Sequence, residues 1–259
     1  MTDSPPIGYN RPIGGDFILK MRIDKFLSNQ GIASRKESKS FLKAGRVSVN
    51  GIPVLKGDIK IDPQVDRIEI DGALQNYQEH IYLMLNKPKG VVSATDDTRH
   101  TTVLDLVPKE LFRQGMFPAG RLDKDTTGFV LLTEDGEFAH NILSPRHHVP
   151  KTYHAVIDQP IAELEIKQLE NGIVLKDGTQ CMKAKFTVIF PGETPTLEVI
   201  IQEGRYHQIK RMFGAVGKKV LELKRIKIGG LALDPNLPEG QCREISVEEL
   251  ERITNCNRY

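Results

Sequence analysis

The sequence predicts an α+β protein in which a small N-terminal domain precedes a larger domain with a mixed, mainly antiparallel sheet flanked by helices. The length of 259 residues fits a small domain joined to a larger one. Strand and helix patterns are interspersed, several strands are joined by short turns, and the spacing is not that of regular β–α–β units. The predicted segments are a flexible tail (1–20), the small domain (21–71), a linker (72–80), the larger domain (81–251) and a C-terminal tail (252–259).

The small domain is predicted to contain two helices followed by a hairpin. Apolar residues recur at helical spacing in the first helix, and Ser34 followed three residues later by Glu37 is the signature of a capping box on the second. Asn50-Gly51 stands between two runs of alternating apolar residues, which is the strongest short-range signal of a β-hairpin. Residues 67–70 predict a further strand.

The larger domain is expected to begin with the apolar strand 81–85, which breaks at a Lys-Pro-Lys-Gly turn. Later apolar runs predict further strands, and apolar residues at helical spacing predict helices. The strands are expected at 129–133, 151–157, 184–190, 196–202 and 220–228, and the helices at 102–112, 135–143, 161–171, 205–216 and 245–253.

The composition excludes several classes of protein. Apolar residues make up 39% of the chain and charged residues 27%, which suffices for a core and is unlike a disordered chain. No window approaches the roughly 18 apolar residues of a membrane span, and the N-terminus lacks the apolar segment of a secretory signal. Three cysteines are too few for a disulfide framework or a cysteine-based zinc site. We expect a cytoplasmic monomer that does not contact membranes.

The formal net charge of +2 hides an uneven distribution. Residues 21–61 carry nine basic and three acidic residues, a net +6, and residues 205–227 carry eight basic and one acidic residue, a net +7. The rest of the chain is therefore at −11. A single basic helix is more often a solvated face, but two basic segments in an otherwise acidic chain indicate an oriented surface for a polyanion.

Acidic residues precede the strand predicted at 129–133. Asp123 and Asp125 lie between Gly120 and Gly128, which allow close approach to a ligand. A loop at the mouth of a sheet is where a reactive carboxylate is commonly presented. The same two aspartates could equally be turn residues that bond their own backbone. Residue chemistry alone leaves both interpretations open.

Three other kinds of site are disfavoured. The four histidines within 147–207 lack a cysteine or carboxylate at a metal-binding spacing, so we expect no metal. Asp123 and Asp125 are only two residues apart, whereas the two carboxylates of a glycosidase face each other across a cleft. The Gly-Gly pair at 229–230 is not followed by a phosphate-binding motif.

The small domain resembles a known RNA-binding module. The motifs Arg22-Ile-Asp-Lys-Phe, Ser34-Arg35-Lys36 and Arg46-Val-Ser-Val-Asn50-Gly51 are similar, in this order, to the αL-type domain named after ribosomal protein S4. Such a domain places basic helices against structured RNA and reads mainly its shape and its phosphates. The resemblance implies that RNA is bound by Arg22, Lys25, Arg35, Lys36, Lys39 and Arg46.

Four ordered motifs in the larger domain are similar to the pseudouridine synthases that modify ribosomal RNA. They are Leu85-Asn86-Lys87-Pro88-Lys89-Gly90, Gly120-Arg121-Leu122-Asp123-Lys124-Asp125-Thr126-Thr127-Gly128, Lys151-Thr152-Tyr153 and Glu203-Gly204-Arg205-Tyr206-His207-Gln208-Ile209-Lys210-Arg211-Met212. Residues 144–148, Lys210 and Ile228-Gly229-Gly230 are similar to the branch that acts on the small subunit. The resemblance implies a pseudouridine synthase fold, an isomerase without a cofactor, and ribosomal RNA or a small-subunit assembly intermediate as partner.

The resemblance also implies roles for individual residues. Asp123 corresponds to the catalytic aspartate, Tyr153 to the tyrosine that stacks on the target base, and Lys210 to the cation that pairs with the aspartate. Whether Asp123 attacks C6 of the base or C1′ of the ribose stays open. Further substrate contacts are expected from Arg121, Arg205, Arg211 and, as an aliphatic wall of the base pocket, Leu223.

Two alternatives remain for the function. The same chemistry could act on large-subunit RNA, or the chain could be an RNA-binding assembly factor without catalysis. The lysine at position 210 favours the small subunit, and the intact Asp123 and Tyr153 weigh against a protein that only binds.

Overall fold

The computed structural model describes residues 20–144 and 149–255. The chain forms two compact units, and the division between them falls after Gln78. The segment expected to be an N-terminal tail lies outside the described residues except for Lys20, as does the end of the chain from 256 onwards. Within the described ranges, no helix is both long and apolar enough to cross a membrane.

The two helices expected in the small unit are confirmed. Ser34 Oγ accepts a hydrogen bond from Glu37 N at 3.3 Å, and the Glu37 carboxylate accepts one from Ser34 N at 2.9 Å, so the capping box forms. Phe26 of the first helix and Leu42 of the second are buried in a common core. The elements of this unit are β1 (Met21–Arg22), α1 (Ile23–Asn29), α2 (Arg35–Lys43), β2 (Val47–Val49), β3 (Ile52–Pro53), β4 (Lys60–Ile61), β5 (Ile68–Ile70) and β6 (Ala73–Leu74).

The expected hairpin joins β2 to β3 and is also confirmed. Asn50 and Gly51 have φ angles of 53° and 79°, the pair of left-handed residues that a type I′ turn requires. β2 pairs with β5 on its other side, so β3, β2, β5 and β6 form one antiparallel sheet in that order.

The stretch expected to be a linker, 72–80, belongs largely to the small unit. Its first residues form β6, and Tyr77 stacks on Phe26 with 6.1 Å between the ring centroids. Gln30 Nε2 donates a hydrogen bond to Gln78 O at 2.8 Å, and Gln78 N donates one to Gln30 Oε1 at 3.1 Å. These partners are distant in sequence, so the polar composition of the stretch gave no sign of them.

The larger unit is built on one sheet. Its elements are β7 (Tyr82–Lys87), β8 (Phe117–Ala119), β9 (Thr127–Thr133), α3 (Gly136–Leu143), β10 (Lys151–Ile157), α4 (Glu163–Glu170), β11 (Lys185–Phe190), β12 (Thr196–Ile201), α5 (Gln208–Ala215), β13 (Val220–Ile228), β14 (Leu231–Ala232), β15 (Cys242–Glu244) and α6 (Val247–Thr254). The strand order is β11-β12-β10-β13-β9-β7-β15, with β8 beside β9 and β14 beside β13. Among the described residues every pairing in this sheet is antiparallel except that of β9 with β13, which confirms the mixed, mainly antiparallel sheet.

Helices cover both faces of this sheet. Leu83 and Leu85 of β7 lie in a core that includes Phe213 of α5, whereas Met84 of the same strand lies in a core that includes Phe138 of α3. A strand buried on both sides accounts for the unbroken apolar run at the start of the domain.

Two sequence predictions in this unit are wrong. The described residues 102–112 form turns instead of a helix. Their backbone hydrogen bonds include Val107 N to Leu104 O at 3.1 Å and Leu111 N to Pro108 O at 3.0 Å, and Pro108 between them has no N–H with which to continue a helix. Their apolar side chains still pack on the core, which produced a spacing similar to that of a helix. The C-terminal tail was expected from 252, but α6 continues to Thr254 and buries Ile253 completely.

Candidate active site

A cleft with about 420 Å³ of space, including the part open to solvent, lies in the larger unit between the loop that precedes β9 and the loop that precedes α5. The structure brings five of the residues expected from the sequence to its walls. These are Arg121, Asp123, Tyr153, Arg205 and Leu223.

The loop that carries Asp123 is anchored at its end by the parallel pairing of β9 with β13. Gly128 lies opposite Arg225 in that pairing, with a φ of 98°. A Cβ atom at Gly128 would lie 2.2 Å from the Arg225 carbonyl oxygen, so a glycine is required for the strands to come this close. The close contact fixes where the loop emerges from the sheet.

Ser93 fixes the residue immediately before Asp123. Its buried hydroxyl accepts a hydrogen bond from Leu122 N at 3.1 Å and donates one to Leu122 O at 3.0 Å. Both backbone groups of Leu122 are therefore bound by one side chain that is 29 residues away in sequence. The sequence gave no signal for this contact.

Lys87, at the end of β7, fixes the residues that follow Asp123. Its side chain is completely buried, and Nζ donates hydrogen bonds to the carbonyl oxygens of Pro88, Lys124 and Thr126 at 3.1, 3.2 and 2.8 Å. Burial lowers the pKa of Lys87 to about 8, although the charges of Asp125 and Asp123 act to raise it. The sequence placed Lys87 in the turn after an apolar strand, where a lysine is ordinarily exposed, so it gave no sign of this burial or of its partners.

Two carboxylates share one lysine at the mouth of the cleft. Lys210 Nζ lies 2.7 Å from Asp125 Oδ1 and 3.5 Å from Asp123 Oδ2. Its hydrogen bond therefore goes to Asp125, while Asp123 lies within ion-pair distance. This hydrogen bond and the charge of Lys210 lower the pKa of Asp125. Lys210 was expected to pair with Asp123, and the structure adds Asp125 as its closer partner.

The side of the cleft beside Asp123 is formed by the sheet. Tyr153 of β10 and Leu223 of β13 are buried, with 8% and 7% of their surfaces exposed, and both line the cleft. A flat aromatic face together with an aliphatic wall is suited to hold a planar base.

The arginines near the cleft differ in their partners. Arg205 Nε donates to Glu203 Oε2 at 2.8 Å, and Arg121 is exposed at the rim. Arg211 was expected to contact the substrate, but its guanidinium forms an ion pair with Asp177 and does not line the cleft. Hydrogen bonds from Thr179 and Arg211 lower the pKa of Asp177 to about 2.

The small unit has a basic groove of its own. It encloses about 980 Å³, including the part open to solvent, and its wall includes Arg22, Lys39, Lys43 and Lys56. Arg22 forms an ion pair with Asp24 at 2.6 Å in the same groove.

The other residues expected to bind RNA in this unit are distributed as follows. Lys25 and Lys36 are exposed, and the side chain of Arg35 lies outside the described part of the structure. Arg46 forms an ion pair with Asp71 and lies 3.7 Å above the Phe41 ring, so its guanidinium is already held within the domain.

Comparison with known proteins identifies the larger unit. Residues 81–215 match the model of a family described as RNA pseudouridylate synthase, and residues 21–64 match the S4 domain. The chain belongs to the RNA pseudouridylate synthase family. Members of this family are isomerases, and the resemblance found in the sequence motifs is confirmed for both units.

Relatives match along almost the whole chain. An uncharacterized RNA pseudouridine synthase of Bacillus subtilis, YtzG, is 47% identical over 90% of this chain and 98% of its own. Ribosomal small subunit pseudouridine synthase A is 42% identical in Yersinia pestis and 40% identical in Escherichia coli K12, over 90% of this chain and 98% and 100% of those proteins. A crystal structure of a pseudouridylate synthase aligns with a TM-score of 0.62 at 36% identity, covering 90% of this chain and 99% of that one.

Proposed function

We propose that this protein converts one uridine of small-subunit ribosomal RNA to pseudouridine, with Asp123 as the catalytic residue. The observation that carries the proposal is the position of Asp123, on a loop fixed on both sides and in a cleft beside the buried ring of Tyr153. The relatives named small subunit pseudouridine synthase A support ribosomal RNA of that subunit as the substrate. The expectations of a cytoplasmic location and of a monomer stay predictions.

The proposed reaction needs only protein side chains. The N1–C1′ bond of uridine breaks, the detached uracil turns, and a new bond joins C5 to C1′, while N1 gains a proton and C5 loses one. Asp123 attacks either C6 of the base or C1′ of the ribose, and the bond that it forms breaks again before the product leaves, so that the carboxylate is regenerated. Lys210 lies within ion-pair distance of Asp123, and Tyr153 and Leu223 hold the extruded base.

The proposal is tested by mapping pseudouridine at nucleotide resolution. Purified protein is incubated with unmodified transcripts of 16S and 23S ribosomal RNA, alone and as partly assembled small subunits, and the products are read by mass spectrometry. We expect one new pseudouridine, in the 16S RNA. Pseudouridine in the 23S RNA alone would show that the substrate is large-subunit RNA. RNA binding without any pseudouridine formation would show that the protein is an assembly factor and not an enzyme.

The basic groove of the small unit gives a prediction about salt. A triple replacement by glutamine, at Lys39, Lys43 and Lys56, removes three positive charges from its wall. The plot of log affinity for RNA against log salt concentration should then be less steep, with a negative slope that is smaller in magnitude by about 2. Filter binding between low and moderate salt measures this slope. Arginine at the same three positions keeps the charge and should keep the slope. An equal slope in the glutamine variant would mean that this groove does not contact RNA.

A further inference from the structure

His207 occupies a strained position at the tip of the loop before α5. Its φ and ψ angles are 48° and 33°, in the left-handed region that a residue with a Cβ rarely adopts, and it forms the N-cap of α5 without a side-chain capping bond. Glycine adopts this backbone without strain, and asparagine, aspartate and histidine adopt it more often than other residues do. The turn therefore does not by itself require an imidazole, and the role of His207 follows from the neighbours of its ring.

Buried contacts on both sides hold His207 in this conformation. The Glu203 carboxylate is buried and accepts hydrogen bonds from Arg205 Nε at 2.8 Å, Gln208 Nε2 at 2.6 Å and Met182 N at 2.9 Å. Gln208 Oε1 in turn accepts a hydrogen bond from Arg205 N at 3.0 Å. The residues that flank the strained turn are thus tied to one buried carboxylate.

The ring of His207 has two neighbours. One face stacks on Tyr206, with 3.8 Å between the ring centroids and 17° between the planes, while Tyr206 itself is 76% exposed. His207 Nε2 lies 3.4 Å from Asp123 Oδ1. Since Lys210 faces Oδ2 of the same carboxylate at 3.5 Å, each oxygen of Asp123 has its own partner.

We infer that His207 is a positioning residue that orients the Asp123 carboxylate for attack. This inference rests on the proposed function. Lys210 alone cannot fix the carboxylate, because its shorter contact goes to Asp125. His207 supplies a second contact, on the oxygen that Lys210 does not face, and the stack on Tyr206 fixes the plane of the imidazole that makes it. The left-handed backbone directs the ring at Asp123.

Two substitutions separate this role from a merely structural one. His207→Asn suits the left-handed backbone but has a side chain too short to reach Asp123, whereas His207→Gln places an amide N–H close to the position of Nε2. The single-turnover rate of pseudouridine formation, with enzyme in excess, and the RNA dissociation constant are measured for both variants and for the wild type. We expect His207→Asn to lower the rate on the order of 10-fold at unchanged RNA affinity. We expect His207→Gln to recover most of that loss.

Each other outcome overturns the inference. An unchanged rate in His207→Asn would show that Asp123 needs no second contact. A loss confined to RNA affinity would make His207 an RNA contact, and an equal loss in both variants would make it a residue of the turn alone. If the wild-type protein binds these RNAs but forms no pseudouridine, the proposed function is wrong, and the role inferred for His207 is wrong with it.

Discussion

Replacing Asp123 by asparagine is expected to abolish pseudouridine formation while leaving RNA binding nearly intact. The amide has almost the shape of the carboxylate but cannot act as a nucleophile, so the single-turnover rate should fall by roughly 10⁴-fold or more. Release of tritium from C5-labelled ribosomal RNA measures the rate, because C5 loses its hydrogen in the reaction. Affinity should persist, since the basic residues that attract RNA are unchanged.

Asp125→Asn is the matched control for this experiment. The two aspartates lie on the same loop, and both are within reach of Lys210, but Asp125 is more exposed, at 60% of its side-chain surface against 25% for Asp123. We expect its replacement to release Lys210 toward Asp123 and to leave most of the activity. Equal losses of rate in the two variants would show that catalysis depends on the total charge of the two aspartates and not on Asp123 as a nucleophile. A fully active Asp123→Asn protein would show that Asp123 is not catalytic.

The features that the sequence revealed are those encoded within a few residues. The capping box of Ser34 and Glu37 and the turn at Asn50-Gly51 depend on neighbours in the chain, and both form as expected. The helix expected at 102–112 failed because its apolar residues are spaced by their packing on the core. Periodicity reports which side chains are buried, and a series of turns can bury them as well as a helix can.

The loop that carries Asp123 shows the same division. Asp123 and Tyr153 were predicted from ordered motifs, which mark residue types but not the contacts that support them. The contacts that hold the loop join Ser93 to Leu122 and Lys87 to Thr126, which are brought together only by the sheet. The position of His207 likewise follows from a left-handed backbone that the sequence did not indicate. Those contacts could not be predicted because they depend on tertiary structure.

Lys87→Met tests whether that support matters for catalysis. Methionine has a similar volume but cannot bind the carbonyl oxygens of Lys124 and Thr126, so the segment after Asp123 loses its anchor. A displacement of a reacting group by about 1 Å can lower a rate about 10²-fold, and we expect a loss of that order. Global stability should change less, because removal of a buried charge offsets the lost hydrogen bonds. Single-turnover rates and urea unfolding measure the two effects.

Lys89→Met is the control, since this lysine lies in the same turn but is exposed. It should leave both the rate and the stability unchanged. A Lys87→Met protein that is folded and as fast as the wild type would show that the loop is held without Lys87. A similar rate loss in both variants would point to RNA contacts of the turn instead.

The buried amine of Lys87 also predicts how stability depends on pH. Its pKa is about 8 in the folded protein and near the ordinary 10.5 in the unfolded chain, so between these values the unfolded state binds one more proton. The free energy of unfolding of the wild type should therefore rise with pH in this interval, by roughly 3 kcal/mol relative to Lys87→Met. Every other titrating side chain is present in both proteins, so the difference between their urea unfolding curves reports on Lys87 and on the charges coupled to it. If the two proteins instead differ in free energy of unfolding by the same amount from pH 8 to pH 10.5, the amine keeps its ordinary pKa. The three carbonyl oxygens around Nζ would then compensate for its burial.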